Sequence, residues 1–218
     1  MKYFLVVIFI LLITGCSSRE NTIEQSKVDT LIIHDTIYII KEKKKDWQKN
    51  FGLTHDPNKD SIWHKPVSYY LNDKELSPIA IEFYYGYIEP SDNGTTDELL
   101  KYVTTDNNKL RPFYRWCLFK TIQISDGALA EHIGIPARKY AEKFPKEFFE
   151  YMDSDSSGKK YIEWTSAINY SGYYDGDNYN NHEKIRKSLI KKMNNNCIDC
   201  DKIILKRINK LAFDCFNK

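Results

Sequence analysis

Residues 200–215 read Cys200-Asp201-Lys202-Ile203-Ile204-Leu205-Lys206-Arg207-Ile208-Asn209-Lys210-Leu211-Ala212-Phe213-Asp214-Cys215. Ile204, Ile208, Leu211 and Cys215 recur at i, i+4, i+7 and i+11, one apolar stripe at helical period. The same rhythm runs back through the chain. Ile185, Leu189 and Met193 form an i, i+4, i+8 row. Tyr161 to Ile168 reads as a helix, and Phe148, Phe149 and Met152 make a further apolar face. Pro112 opens a helix striped by Phe113, Trp116, Cys117 and Thr121. Ser77-Pro78 has the form of an N-cap followed by proline at the first helical position. Behind it Ile79, Phe83 and Tyr87 fall four apart, beside Ala80, Tyr84 and Ile88. Thr95-Thr96-Asp97-Glu98 has the pattern of a capping box opening a helix through Leu99, Leu100 and Val103. Gly134 is expected to close a short helix containing Ala130 and Ile133. Pro136 is expected to open another, stopping at Phe144-Pro145.

These segments predict an all-α fold: an irregular array of seven or eight short helices over residues 47–218. Residues 47–76, with two histidines, Pro57 and Pro66, read as irregular. No period of 33–45 residues repeats convincingly, which leaves a helical-repeat solenoid as the alternative only.

The N-terminus has a different character. Lys2 is followed by an unbroken apolar run, Phe4 to Ile13, and then by Thr14-Gly15-Cys16. The run is too short to cross a bilayer, which takes roughly 20 apolar residues. A basic start, an apolar stretch and small residues before a cysteine resemble the lipobox of bacterial lipoproteins cut by signal peptidase II. The resemblance covers residues 1–18. It implies removal of residues 1–15 and acylation of Cys16, whose chains would anchor the product. In related Gram-negative lipoproteins an aspartate after the cysteine favours the inner membrane. Ser17 therefore points to the outer one, with the domain facing the periplasm or the cell surface.

Residues 16–46 read as a tether. Residues 17–27 are polar. Val28-Asp29-Thr30-Leu31-Ile32-Ile33 and His34-Asp35-Thr36-Ile37-Tyr38-Ile39-Ile40 then repeat Asp-Thr before apolar residues with a period of six. The composition favours extended chain, either as a stalk or as a strand pairing with a partner or another copy. Lys41-Glu42-Lys43-Lys44-Lys45 is a solvated charge run. Residues 17–46 would span about 100 Å fully extended and about 30 Å as a coil.

The formal net charge is +2, so no global field favours nucleic acid. Residues 183–218, however, hold ten Lys/Arg against four Asp/Glu. Lys184, Lys187 and Lys191 lie opposite the Ile185 row, on a face suited to solvent, anionic lipid or an acidic partner.

Five further groups bear on chemistry. Cys197 and Cys200 form a Cys-x-x-Cys without thioredoxin-like surroundings or the four ligands of a zinc site. They read as a structural disulfide of an oxidising compartment. Cys200 and Cys215 would stand about 22 Å apart on a continuous helix, beyond bonding reach. Cys197–Cys200 and Cys117–Cys215 are thus the expected pairs. Asp153, Asp155 and Ser157, followed by Gly158, match the first half of a calcium loop. The closing glutamate position is Trp164, so a helix-linking turn is expected rather than a metal site. His55 and His64 flank an acidic loop with Asp56 and Asp60, whereas His132 and His182 belong to no nucleophile–base pair. Tyr69-Tyr70, Tyr84-Tyr85, Tyr87 and Tyr170 to Tyr174 supply stacking surface or core. Tyr173, Tyr174, Asp175, Asp177 and Tyr179 mix aromatics with turn formers and are the expected partner-binding loop.

No catalytic constellation, and no need for a cofactor, emerges. The expectation is a lipid-anchored envelope protein whose helical domain binds another protein, as an accessory or immunity-type factor. The alternative is a cell-wall or glycan hydrolase using Asp56, Asp60 or Glu82 in an aromatic cleft, since glycosidases need two placed carboxylates.

Overall fold

A computed structural model describes residues 30–33, 36–39, 47–176 and 181–217. Cys16 and the lipobox lie outside these residues, as do Asp177 and Tyr179 of the expected binding loop. In the described part of the tether, β1 (Thr30–Ile33) and β2 (Thr36–Ile39) pair antiparallel, with Thr30 opposite Ile39 and Ile33 opposite Thr36. The two copies of the Asp-Thr repeat thus pair with each other over these residues.

From Trp47 on the chain is helical. The stretch read as irregular carries a two-residue hairpin, β3 (Ser61–Ile62) and β4 (Lys65–Pro66), and a short helix α1 (Val67–Leu71). The hairpin's central pair, Trp63 and His64, both have positive φ, 48° and 63°, the backbone of a type I′ turn. Then come α2 (Pro78–Tyr84), α3 (Gly94–Lys101), a 3-10 turn at Tyr102–Thr104, α4 (Arg111–Ile124) and α5 (Gly127–Lys143). They are followed by α6 (Pro145–Asp153), α7 (Lys159–Tyr170), a 3-10 turn at Ser171–Tyr174, α8 (His182–Asn195) and α9 (Lys202–Cys215). None of the helices among the described residues is long and apolar enough to cross a membrane.

Among the described residues, nine helices replace the expected seven or eight, for local reasons. α1 is a single turn with no stripe to announce it. The two helices expected around Gly134 and Pro136 are one, because α5 runs through Pro136 unbroken. Gly134 does not cap it. A Cβ there would stand 2.7 Å from the backbone nitrogen of Ser171, so glycine lets α5 lie against the end of α7. The burial of Ile133, Ala137, Tyr140 and Ala141 on both sides of the proline holds the helix together despite its missing N–H. The capping box is also displaced. Asn93, not Thr95, caps α3 by accepting from the Thr96 N–H at 3.0 Å, and Thr96 Oγ1 accepts from the Ser91 N–H.

α5 is the central helix, packed on α7, α8, α4, α3 and α6. Trp164, fully buried on α7, touches the rings of Tyr140, Phe148 and Tyr151 at 5.5–6.1 Å. Among the described residues, the buried apolar core runs from Ile62 to Phe216. The stripes Ile185-Leu189-Met193, Ile208-Leu211-Cys215 and Phe113-Cys117-Thr121 are buried as expected, whereas Trp116 and Ile204, the remaining members of their stripes, are half-buried.

The cysteines divide the expectation in two. Cys197 and Cys200 are bonded, with Cα atoms 5.3 Å apart. The Cys117–Cys215 bridge is not formed; both are free, buried thiols. Cys117 sits on α4, which packs with α2, α3, α5 and α7, whereas Cys215 ends α9, which packs with α6, α7 and α8. Burial raises both thiol pKa values well above the usual range, which makes them inert.

Candidate functional site

A groove of about 1110 Å³ opens between the end of α2 and the start of α5. Its first wall is built where α2 stops. Gly86, at φ 77°, takes the left-handed conformation that ends the helix. The Tyr87 N–H donates to Glu82 O at 2.9 Å and the Gly86 N–H to Phe83 O at 3.1 Å, a Schellman closure. Tyr87 is thereby swung off the stripe that its spacing from Phe83 implied, and turns into the groove with Ile88.

The loop ahead of α1 clamps this wall. Trp47 Nε1 donates to Gly86 O at 3.2 Å, and Gln48 Nε2 donates to Tyr84 O at 3.3 Å. Asp60 accepts from the Thr54 N–H and Oγ1, the His55 N–H and, at 2.6 Å, the Tyr84 hydroxyl. Burial alone would raise the Asp60 pKa, but the hydrogen bonds from Tyr84, Thr54 and His55 outweigh it and hold the carboxyl below its usual value. The opposite wall comes from Ile124 at the end of α4 and from Asp126 and Leu129 at the start of α5.

The lining combines half-buried apolar groups with carboxylates. Trp47, Ile79, Tyr87, Ile88 and Ile124 offer apolar surface, and Glu82, Glu89, Asp92 and Asp126 bring acid groups. Among the described residues, no lysine, arginine or histidine lines the groove. Asp126 accepts from the Leu129 N–H as the cap of α5, so the helix dipole offsets part of its charge. Glu82 is half-buried, and desolvation raises its pKa.

The other expected groups do not converge. Asp56 pairs with Lys59 at 3.0 Å and closes its own turn, and Asp60 is consumed by the clamp. His55 Nε2 lies 2.8 Å from Gln48 Oε1, the His64 ring lies tilted against Trp63 with centres 5.3 Å apart, and His132 pairs with Asp97 at 2.7 Å. His182 is at the first position of α8. Asp155 forms a turn, accepting from the N–H groups of Ser157 and Lys160, which pulls its pKa down to about 2. Asp153 binds Arg207, and Ser157 Oγ donates to Asp155. Tyr173 and Tyr174 are exposed, while Asp175 is tied to Arg138. Of the expected carboxylates, only Glu82 faces the groove. Glu89, Asp92 and Asp126 were not expected there. No protein-family model matches the chain, and no curated protein or solved structure matches it, so what the groove does rests on its own geometry.

Proposed function

We propose that this chain is a membrane-anchored envelope lipoprotein whose helical domain holds another protein, and that it does so in the groove between α2 and the start of α5. The observation that carries the reading is the lining itself: apolar walls with four carboxylates and, among the described residues, no cation. That combination suits a partner segment whose apolar side chains fill the trough while its lysines or arginines meet the acids. Acylation at Cys16 would keep the domain beside its membrane neighbours. A photo-crosslinker placed at Asp92, on the groove rim, tests the first half in cells. It is expected to give a defined crosslinked product that disappears with Glu82→Lys, while a crosslinker at Lys184 gives none. Equal products from both positions would remove the groove from the account. Palmitate labelling that survives Cys16→Ser would remove the anchor.

Glu82 favours a second reading. A carboxyl with a raised pKa in an aromatic groove has the property a general acid needs. Digestion of cell-wall glycan that Glu82→Gln abolishes, without loss of the crosslink, would put a hydrolase in place of the binder.

A further inference from the structure

A second surface lies outside the groove, since none of the groove residues belongs to α8 or α9. α9 buries Ile208, Leu211, Ala212 and Cys215. At about 100° per residue, the opposite arc carries Lys202, Lys206, Lys210, Ile203 and Phe213. Ile203 is 67% exposed and Phe213 51%, and Ile198, just ahead of the helix, is 89% exposed. A single exposed apolar residue needs no explanation. Three on one arc and its lead-in, set among lysines, form the pattern of a helix lying in a membrane interface.

Ile198 is held in place by covalent structure. It is the first residue inside the Cys197–Cys200 disulfide, whose turn is closed by the Cys200 N–H donating to Cys197 O at 3.2 Å. Cys197 is buried, so the loop is rooted in the core and its apolar tip points outward. The entropy of ordering that tip is lost on folding, not on docking. Lys202 and Lys206 carry no ion pair among the described residues, whereas Lys210 is tied to Asp214. On α8, Lys184, Lys187 and Lys191 are exposed, with Lys187 paired to Glu183.

We propose that the outer face of α9, with the Cys197–Cys200 loop, docks on an anionic bilayer surface. Ile198, Ile203 and Phe213 enter the boundary between headgroups and acyl chains, and Lys202 and Lys206 meet lipid phosphates. The docking depends on this face alone and holds whether or not Cys16 is acylated and whatever the groove binds.

Residues 17–218, which carry the buried core found among the described residues and lack Cys16, serve for the test. Their co-flotation is measured with vesicles of phosphatidylcholine and with vesicles of phosphatidylcholine mixed with phosphatidylglycerol. The expected result is flotation with the anionic vesicles only, reversed by high salt. The Lys202→Gln/Lys206→Gln variant is expected to bind roughly tenfold more weakly. Ile198→Ser/Ile203→Ser/Phe213→Ser is expected to lose flotation while its circular dichroism is unchanged. Flotation that these variants leave intact would overturn the proposal. So would absence of flotation, or self-association through Phe213 in its place.

Discussion

Arg115 has no exposed surface, which places a guanidinium in the core. It lies between the rings of Trp63 and Tyr151, 4.4 and 4.0 Å from their centres. Nη1 donates to the Tyr140 hydroxyl and to Glu147 Oε1, both at 2.9 Å. Arg111, stacked on Phe144, donates from Nε to Glu147 Oε2 at 2.7 Å. One carboxylate therefore serves two buried arginines. Removing a partner from such a pair leaves an uncompensated buried charge, which costs about 3–5 kcal/mol. Glu147→Ala is accordingly expected to destabilise the domain by that amount in urea titration. Loss of less than about 1 kcal/mol, the range of a surface pair, would mean that the arginines find solvent. Sequence reading missed this cluster altogether. Arg111 and Arg115 share one helix face with apolar neighbours, but Glu147 lies 36 and 32 residues away. A long-range charge match has no local period to betray it.

Among the elements, the helices whose stripes face a single packing surface were legible. α8 buries the residues its spacing marked, α9 buries all of its own but the half-buried Ile204, and Phe144-Pro145 separates α5 from α6 as Pro-before-helix chemistry requires. The misreadings fall where a residue answers to a distant contact. Gly134 and Pro136 look like punctuation locally, but Gly134 exists for the approach of Ser171. Gly134→Ala would force a Cβ to within 2.7 Å of a backbone nitrogen and 3.0 Å of Tyr170 C. α5 and the end of α7 must then separate, at an expected cost of about 1–3 kcal/mol. Thermal unfolding should show it as a clear loss of melting temperature, and an unchanged value would refute the close approach. The Cys197–Cys200 bond is an element-scale feature of another kind. It closes so short a loop that its effect on unfolded-chain entropy is small, about 2 kcal/mol by the loop-closure relation. Cys197→Ser/Cys200→Ser should therefore leave a folded domain of slightly lower stability. An unfolded product would make the disulfide the organiser of the fold. The groove shows the same limit of local reading. Glu82 and Tyr87 were singled out, but the groove assembles from residues 47, 79–95 and 124–129. Gly86 after Tyr85 was the one local sign that Tyr87 leaves the helix.

For the whole molecule, the sixteen tyrosines set the response to alkali. Tyr70 and Tyr114 are almost fully buried, and desolvation pushes both pKa values up to about 12; Tyr85 is raised to about 12 for the same reason. Burial drives Tyr84, Tyr140, Tyr151 and Tyr161 higher still, and at Tyr84 the Asp60 carboxylate adds to it. In the unfolded chain these phenols ionise near pH 10. The folded values lie above the unfolded ones, so the neutral-phenol packing is at full strength below about pH 10. It weakens as pH rises beyond that. Each buried phenol that stays neutral while the unfolded chain ionises therefore lowers stability as the pH rises past about 10. Alkaline unfolding is expected to be cooperative, with loss of helical circular dichroism and ionisation of the buried phenols in one transition above about pH 10. Bulk ionisation near that pH with the helices intact would mean that the rings packed around Arg115 and Trp164 reach water, and the tight aromatic core would have to be abandoned.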